Sequence, residues 1–162
     1  MVRQATIDDI NIINGIFLNV VLWMKENKLK QWRFRDLDWE RMPFDITNFY
    51  ICFNQKDDAV GFLILSSLDI NDNWNNWGFP NSLYVYILAV KRMYAKQGFS
   101  SELISFSKEF ARKKHYNYLC LYCQTKRAKL RSFYERNGFS LVGQQTLKNE
   151  IEPSSFYVYK IR

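Results

Sequence analysis

The hydrophobic patterns along the chain predict a mixed α/β domain built around a central sheet. Apolar residues recur at helical spacing over residues 10–28 and again over 98–114, which predicts two long helices. Short apolar and aromatic runs between turn-rich segments predict strands. The near-continuous apolar run Leu83–Val90 is typical of a central strand that is covered on both faces. A length of 162 residues fits one domain, so we assign 1–162 to a single domain.

The N-terminal half is predicted to begin with a strand at Val2–Thr6. A helix then starts at Asp8 or Asp9 and runs to about Lys28. A second helix is predicted over Trp39–Asn48, although Pro43 lies inside it. Two strands should follow as a hairpin: Phe49–Phe53 and Ala59–Leu65.

The C-terminal half contains a predicted βαβ unit: strand 83–90, helix 98–114 and strand 118–123. The two strands of such a unit are parallel and the crossover is right-handed. A short helix over Ala128–Arg136 should end at Asn137-Gly138. Closing strands are predicted over 139–143 and 156–161, which gives the order β-α-α-β-β-β-α-β-α-β-β.

Composition limits the classes of protein to be considered. The chain is 48% hydrophobic and 17% aromatic, which excludes a disordered polypeptide and leaves room for an apolar dimer face. No apolar run approaches the roughly 20 residues of a membrane span, and the N-terminus shows no signal peptide. Three cysteines is an odd number and fits free thiols better than a disulfide framework. We therefore expect a cytoplasmic protein with no membrane partner.

Positive charge is concentrated in one segment. The net charge is +7, yet Lys91–Arg136 alone holds twelve Lys or Arg and three Glu, a balance of +9. A basic surplus of this kind suggests an anionic partner without naming it. By charge alone, a nucleic acid, a membrane surface and a phosphate-rich cofactor would each qualify as that partner.

The segment after the apolar strand 83–90 has the pattern of a phosphate site. A short loop ends in Gly98, which lets the backbone approach a ligand closely, and Ser100 and Ser101 open the next helix. The free N–H groups at a helix start attract anions, and Lys96 adds a mobile charge. An ordinary strand-to-helix turn would show the same glycine, so the residues alone leave both interpretations open.

Two motifs together resemble those of a known family. Leu88-Ala89-Val90 followed by Ala95-Lys96-Gln97-Gly98-Phe99-Ser100 is similar to the acetyl-CoA motif Q/R-x-x-G-x-G/A of the GNAT superfamily of N-acetyltransferases. After one intervening strand, Leu130–Phe139 is similar to the family's L-x-x-F-Y-x-x-x-G-F signature. The resemblance is sharp over about 84–143. Ala95, Ser100 and Arg127 depart from it, because Gln or Arg, Gly or Ala, and Asn usually stand there.

The resemblance implies a GNAT-like fold: a mixed, mostly antiparallel central sheet with a parallel splayed strand pair, flanked by helices. It also implies acetyl-CoA as cosubstrate, held by the backbone at the end of the central strand and by the start of the following helix. The residues that this assigns to the cofactor are Leu88, Ala89, Val90, Lys96, Gln97, Gly98, Phe99, Ser100 and Ser101, with Arg127 and Lys129 for the ribose phosphate. Oxyanion stabilisation would come from the backbone of 88–90.

The same resemblance makes Tyr134 the general acid that protonates the departing CoA thiolate. A phenol can serve as such an acid, although a plain core tyrosine is the alternative. The general base is not readable, since strand 83–90 carries no Asp or Glu. Tyr86, a water-mediated route or solvent would have to take the proton from the amine.

Three aromatic residues are candidates for the acceptor site, namely Trp32, Trp74 and Tyr86, and each of the two tryptophans could equally be a packing residue. The C-x-x-C of Cys120 and Cys123 lies in a predicted strand, where the two thiols point to opposite faces, so we expect no metal site. His115, the only histidine, falls at a helix end and suits the helix dipole there.

The sequence thus predicts an N-acetyltransferase whose acceptor is a small-molecule or peptide amine. The alternatives are a non-catalytic acetyl-CoA-binding protein and a basic nucleic-acid-binding protein, including a toxin that acetylates aminoacyl-tRNA. Ala95, Ser100 and Arg127 favour the alternatives. The two motifs in their correct order favour the enzyme, and nucleic acid is then not the expected partner. A homodimer remains possible.

Overall fold

The computed structural model describes residues 1–29 and 32–162. Seven strands form one mixed sheet in the order β1-β2-β3-β4-β5-β7-β6. The strands are β1 Val2–Gln4, β2 Phe49–Phe53, β3 Ala59–Ser66, β4 Ser82–Val90, β5 Tyr118–Gln124, β6 Ser140–Thr146 and β7 Pro153–Lys160. The α-helices are α1 Ile10–Glu26, α2 Phe99–Lys113 and α3 Ala128–Arg136. The predicted fold class is confirmed, including one parallel pair, β4 with β5.

The chain forms two compact units. The first contains 1–65 and 87–106, and the second contains 66–86 and 107–162. In the first unit, β1 pairs with β2 and β2 with β3, both antiparallel, so the predicted hairpin is confirmed. The core of this unit forms where the buried stripe of α1 meets the strands, and the Phe17 and Phe62 rings lie 6.4 Å apart there.

Helix α1 is more apolar than the sequence pattern first indicates. With the preceding 3-10 turn it gives 20 residues, Ile7–Glu26, of mean hydropathy 1.4, which by length and composition alone would be enough to cross a membrane. This corrects the expectation that no such run exists. The core helices of soluble proteins share these properties. In α1, the side chains of Ile13, Ile16, Phe17 and Val20 are buried in the core of the first unit. The buried face accounts for only part of the apolar composition, since 33% of this span is buried and Ile12, Leu18 and Leu22 are exposed.

The second helix predicted over 39–48 is wrong. Turns occupy this segment, followed by a 3-10 helix at Ile46–Asn48. Pro43 cannot donate a helical hydrogen bond, and it disfavours helical geometry at the residue before it. The Asp45 carboxylate then accepts from the Thr47 N–H at 2.7 Å, which stabilises a turn in place of a helix.

In the second unit, β4 begins parallel to β5, with Ser82–Tyr84 opposite Tyr118–Cys120. Among the described residues of this unit the register stops there and does not reach Val85 and Tyr86. This is the behaviour expected of a splayed pair. Strand β7 pairs antiparallel with both β5 and β6. Helix α3 ends as predicted at Asn137-Gly138, where Gly138 has φ +82°.

Candidate active site

The loop after β4 is anchored inside the first unit. The Lys91 N–H donates to the Val60 carbonyl at 2.8 Å, which holds the end of β4 against β3. The Arg92 N–H donates to Asn19 Oδ1 at 2.9 Å, and the Arg92 guanidinium lies 3.7 Å from the Trp23 ring centre. The charge of Arg92 is thus already engaged by α1, and the loop is held in place from both sides.

The start of α2 presents backbone amides that the helix itself does not bond. The first bond inside the helix runs from the Glu102 N–H to the Gly98 carbonyl at 2.9 Å, so the amides of 99–101 have no partner within the helix. Gly98 has φ +91°, and a Cβ at this position would meet nothing within 4 Å. Lys96 is exposed beside it. This arrangement can bind an anion such as a phosphate.

The two departures from the acetyl-CoA motif do not disturb the loop. The Ala95 N–H donates to the Arg92 carbonyl at 3.1 Å, so the backbone alone closes the turn at Ala95. The Gln97 side chain donates to the Met93 carbonyl at 3.0 Å and therefore braces the loop from within. Ser100 is half-buried at the helix start, where its hydroxyl adds a donor.

The end of β4 is tightly packed on one side. Ala89 and Val90 are buried, whereas Leu88 is half-buried. Gly61 of β3 lies against them, and a Cβ there would stand 2.6 Å from the Ala89 carbonyl oxygen and 2.9 Å from a Val90 methyl carbon. Glycine at position 61 is what allows β3 to approach this part of β4 so closely.

Tyr134 lies in the second unit, on α3. It is 7% exposed, and its ring lies 5.4 Å from Phe133, 6.0 Å from Phe139 and 6.2 Å from Tyr157 between ring centres. Burial raises the pKa of the Tyr134 phenol, and the positive charge of Arg127 partly offsets this rise. The phenol is therefore protonated at neutral pH, which is the state that a general acid requires.

Hydrogen bonds fix the orientation of α3. Arg131 Nε donates to the Tyr157 hydroxyl at 3.0 Å, and that hydroxyl donates to Glu135 at 2.8 Å. Lys126 pairs with Glu152 at 3.1 Å. Of the basic run 126–131, Arg131 and Lys126 thus make structural contacts, while Arg127 is half-buried near Tyr134 and Lys129 is exposed.

Tyr86 has a structural task that the sequence does not show. Its hydroxyl accepts from the Ile70 N–H at 2.9 Å and donates to the Leu68 carbonyl. Burial raises the pKa of this phenol well above its ordinary value. A phenol with a raised pKa and an engaged proton is a poor base. The structure therefore gives Tyr86 the role of clamping the loop that follows β3.

The two candidate tryptophans pack against aromatic neighbours. Trp74 is only 4% exposed and belongs to a buried cluster with Tyr84, Cys120 and Phe156. The half-buried Trp32 lies 5.8 Å from the Phe17 ring. These contacts favour the packing interpretation of each residue.

One acidic group near this cluster was missed by the sequence analysis. Asp69, in the loop after β3, has a carboxylate whose Oδ2 accepts from the Trp74 N–H at 2.9 Å. Its Oδ1 is enclosed and has no hydrogen-bond partner among the described residues. Burial raises the pKa of Asp69, Asp72 adds to the rise, and the amides of Trp74 and Asn73 oppose it. No sequence signal separates Asp69 from the other Asp and Asn residues of this loop.

The two cysteines of the C-x-x-C pair have different surroundings, as a strand requires. Cys120 lies in the Trp74 cluster, with its Sγ 3.5 Å from the Ser82 hydroxyl. Cys123 lies near Arg127 and Arg131. Burial raises the pKa of Cys120 to about 12 and that of Cys123 to about 11, so both are thiols at neutral pH. Within 1–29 and 32–162, no group of metal-binding side chains comes together.

Comparison with known proteins places these features in a family. Residues 18–139 match the model of the acetyltransferase (GNAT) family. An uncharacterized N-acetyltransferase, YesJ, of Bacillus subtilis is 23% identical over 146 residues, which cover 86% of this chain and 81% of that protein.

Solved structures show the same fold. A GNAT-family acetyltransferase from Listeria monocytogenes superposes with a TM-score of 0.76 at 20% identity, covering 99% of this chain and 94% of its own. A putative streptothricin acetyltransferase from Bacillus anthracis, solved in complex with acetyl coenzyme A, gives a TM-score of 0.57 at 24% identity. That match covers 70% of this chain and 62% of the other.

Proposed function

Because the chain belongs to the GNAT family of acetyltransferases, we propose that it moves an acetyl group from acetyl-CoA to a primary amine by direct transfer. The observation that carries this proposal is the start of α2, whose first amides have no partner within the helix and which follows β4 through the loop 91–98, inside the matched residues 18–139. The putative streptothricin acetyltransferase of similar fold was solved in complex with acetyl coenzyme A.

The pyrophosphate of acetyl-CoA is assigned to the amides of 96–101. Gly98 supports this assignment, since its open backbone and positive φ leave room for the phosphates. Lys96 supplies charge, and the helix start supplies partial positive charge. The backbone of Leu88, Ala89 and Val90 is assigned to the pantetheine arm and to the developing oxyanion. Arg127 and Lys129 remain candidates for the ribose phosphate.

Tyr134 is proposed as the acid that protonates the CoA thiolate. Its raised pKa keeps the proton on the phenol until the thiolate forms, and the same low-dielectric surroundings would raise the proton affinity of the thiolate. Arg127 lowers the pKa of this phenol in opposition to burial, which makes the transfer easier. The attacking amine nitrogen gains a C–N bond, the thioester C–S bond breaks, and the thiolate leaves as the thiol.

Two measurements test the proposal. Isothermal titration with acetyl-CoA should show binding, and a panel of primary amines should release free CoA thiol. In Tyr134→Phe, kcat should fall about 100-fold or more, the range expected for loss of a general acid, while acetyl-CoA affinity stays within about twofold.

Tyr116→Phe is the matched control, since it removes a phenolic oxygen from the turn after α2 and should leave kcat unchanged. Unchanged turnover in Tyr134→Phe would remove the acid role. Acetyl-CoA binding without turnover on any amine would identify the protein as a non-catalytic binder.

A further inference from the structure

The loop between β3 and β4 holds Asp69 in a defined position. The Tyr86 hydroxyl bonds the residues on both sides of it, Leu68 through its carbonyl and Ile70 through its N–H. Trp74 holds one carboxylate oxygen through its backbone N–H. Three contacts therefore fix the backbone and one oxygen of Asp69, which is more than a surface turn needs.

The second carboxylate oxygen is unsatisfied. Oδ1 is enclosed and has no hydrogen-bond partner among the described residues, although the Asn73 amide also lies close enough to lower the pKa of the carboxyl. No Lys, Arg or His of the described residues pairs with the carboxylate. Leaving a buried acceptor without a partner costs stability, and more so when the acceptor is charged. Such a group calls for an explanation, and one explanation is a ligand that it binds.

The surroundings of Asp69 suit a cation. Its charge contributes to the raised pKa of Tyr84, Tyr86 and Tyr122, so these three phenols all lie within its field. Trp74 adds an indole to the same cluster. Aromatic faces attract cations, and a carboxylate among them attracts an ammonium group most strongly.

We propose that Asp69 receives the ammonium group of the acceptor and takes its proton. This inference rests on the proposed acetyl transfer and names the base and the substrate class of the same reaction. The acceptor is then a primary amine that is cationic in solution, its charge held by Asp69 Oδ1 and its alkyl part lying beside the tyrosine rings.

The proton balance is simple. The ammonium gives one proton to the Asp69 carboxylate and becomes a neutral amine with a free electron pair. That pair attacks the thioester carbon, and the C–S bond breaks as the C–N bond forms. The nitrogen loses its second proton to water, while the thiolate gains one from Tyr134, which then takes a proton back from water. The acceptor amine ends as an amide and Asp69 returns its proton to solvent.

The residues before and after Asp69 are partly exposed to solvent. Leu68 is 52% exposed, and Asn71 and Asp72 are exposed with φ of 60° and 52°. Two successive non-glycine residues in the left-handed region store strain, which is common at sites that bind ligands. Exposed residues of this loop thus lie on both sides of Asp69, Leu68 before it and Asn71 and Asp72 after it.

Asp69→Asn tests the proposal, because the amide keeps the shape and can still accept from the Trp74 N–H. We expect kcat/KM for the best alkylamine of the panel to fall about 100-fold or more at pH 7, with acetyl-CoA affinity unchanged. At pH 9.5 the loss should shrink, because solvent then deprotonates the amine. Asp72→Asn, which removes a neighbouring acid on the same loop, should stay within about threefold of the wild type.

The pH trend separates a base from a structural residue. The titratable groups that interact electrostatically with Asp69 are Asp72, Tyr84, Tyr86, Cys120 and Tyr122. These groups are identical in the wild type and in Asp69→Asn. An equal loss at both pH values, or a loss below threefold, overturns the proposal.

If Asp69→Asn does not fold, Tyr86→Phe takes its place. It removes both loop contacts and should lower amine kcat/KM with the same pH trend, while an unchanged amine kcat/KM would overturn the proposal. Wild-type protein that releases no thiol with any amine would instead refute the acetyl transfer itself.

Discussion

Replacement of Gly61 in β3 by alanine should place a new methyl group against the end of β4 and strain the backbone there. A Cβ at position 61 would meet the Ala89 carbonyl oxygen at 2.6 Å, the Val90 Cγ2 at 2.9 Å and the Val90 Cα at 3.3 Å. Two of these three atoms belong to the backbone, so they cannot rotate away. The neighbouring bond from the Lys91 N–H to the Val60 carbonyl, 2.8 Å long, keeps the two strands together at this point.

The cost follows from the geometry. Overpacking of a closed site costs about 1–3 kcal/mol, and the backbone contacts place Gly61→Ala in the upper part of that range. In a domain of this size each kcal/mol lowers Tm by about 2–4 °C, so a fall of about 4–10 °C is expected. Ala89 and Val90 also carry the backbone assigned to acetyl-CoA. We therefore expect its affinity to fall about tenfold, equivalent to about 1.4 kcal/mol.

Gly15→Ala provides a matched control. Gly15 is an exposed position of α1 where an added Cβ would meet nothing within 4 Å, and alanine is the better helix residue by about 0.5–1 kcal/mol. Thermal unfolding should therefore show a higher Tm for Gly15→Ala and a lower one for Gly61→Ala. If Gly61→Ala melts within about 1 °C of the wild type, which corresponds to only about 0.3 kcal/mol, the packing argument is wrong.

Two further predictions concern stability and reactivity. Arg3 and Thr6 hold the pKa of the buried Asp9 below its ordinary value, so Asp9 stabilises the fold above about pH 4, and this contribution is lost as pH falls toward the lowered pKa. Asp9→Asn should cost about 1–3 kcal/mol at pH 7 by urea unfolding, and its difference from the wild type should shrink in acid. The buried thiols of Cys52, Cys120 and Cys123, with raised pKa values, should react with a thiol reagent at pH 8 only after unfolding, and rapid labelling of the folded protein would contradict this.

Local patterns predicted most of the fold because most of its elements are locally consistent. The strand at Phe49–Phe53 and the helix at Ala128–Arg136 have the predicted bounds, since turn residues flank both. The predicted helix at 39–48 failed because one proline outweighs the apolar spacing around it. A periodic pattern records which side chains are apolar and does not record a missing backbone donor.

The candidate site was less readable, for a related reason. Gly98 and Tyr134 lie in motifs, so the sequence shows them. Asp69 lies among several Asp and Asn residues, and its distinction arises only from burial and from the contacts of Tyr86 and Trp74. From the sequence alone, Tyr86 is likewise a candidate base. In the structure its hydroxyl is hydrogen-bonded to the two neighbours of Asp69, Leu68 and Ile70.

Strand β5 gives these assignments a common geometric basis within the second unit. Successive side chains of a strand alternate between faces, so Cys120 and Tyr122 share one face and Cys123 lies on the other. The first pair lies in the field of Asp69, whereas Cys123 lies in that of Tyr134. Asp69 and Tyr134 therefore act on different side chains of β5, and in the proposed transfer the carboxylate receives the incoming ammonium while the phenol protonates the departing thiolate.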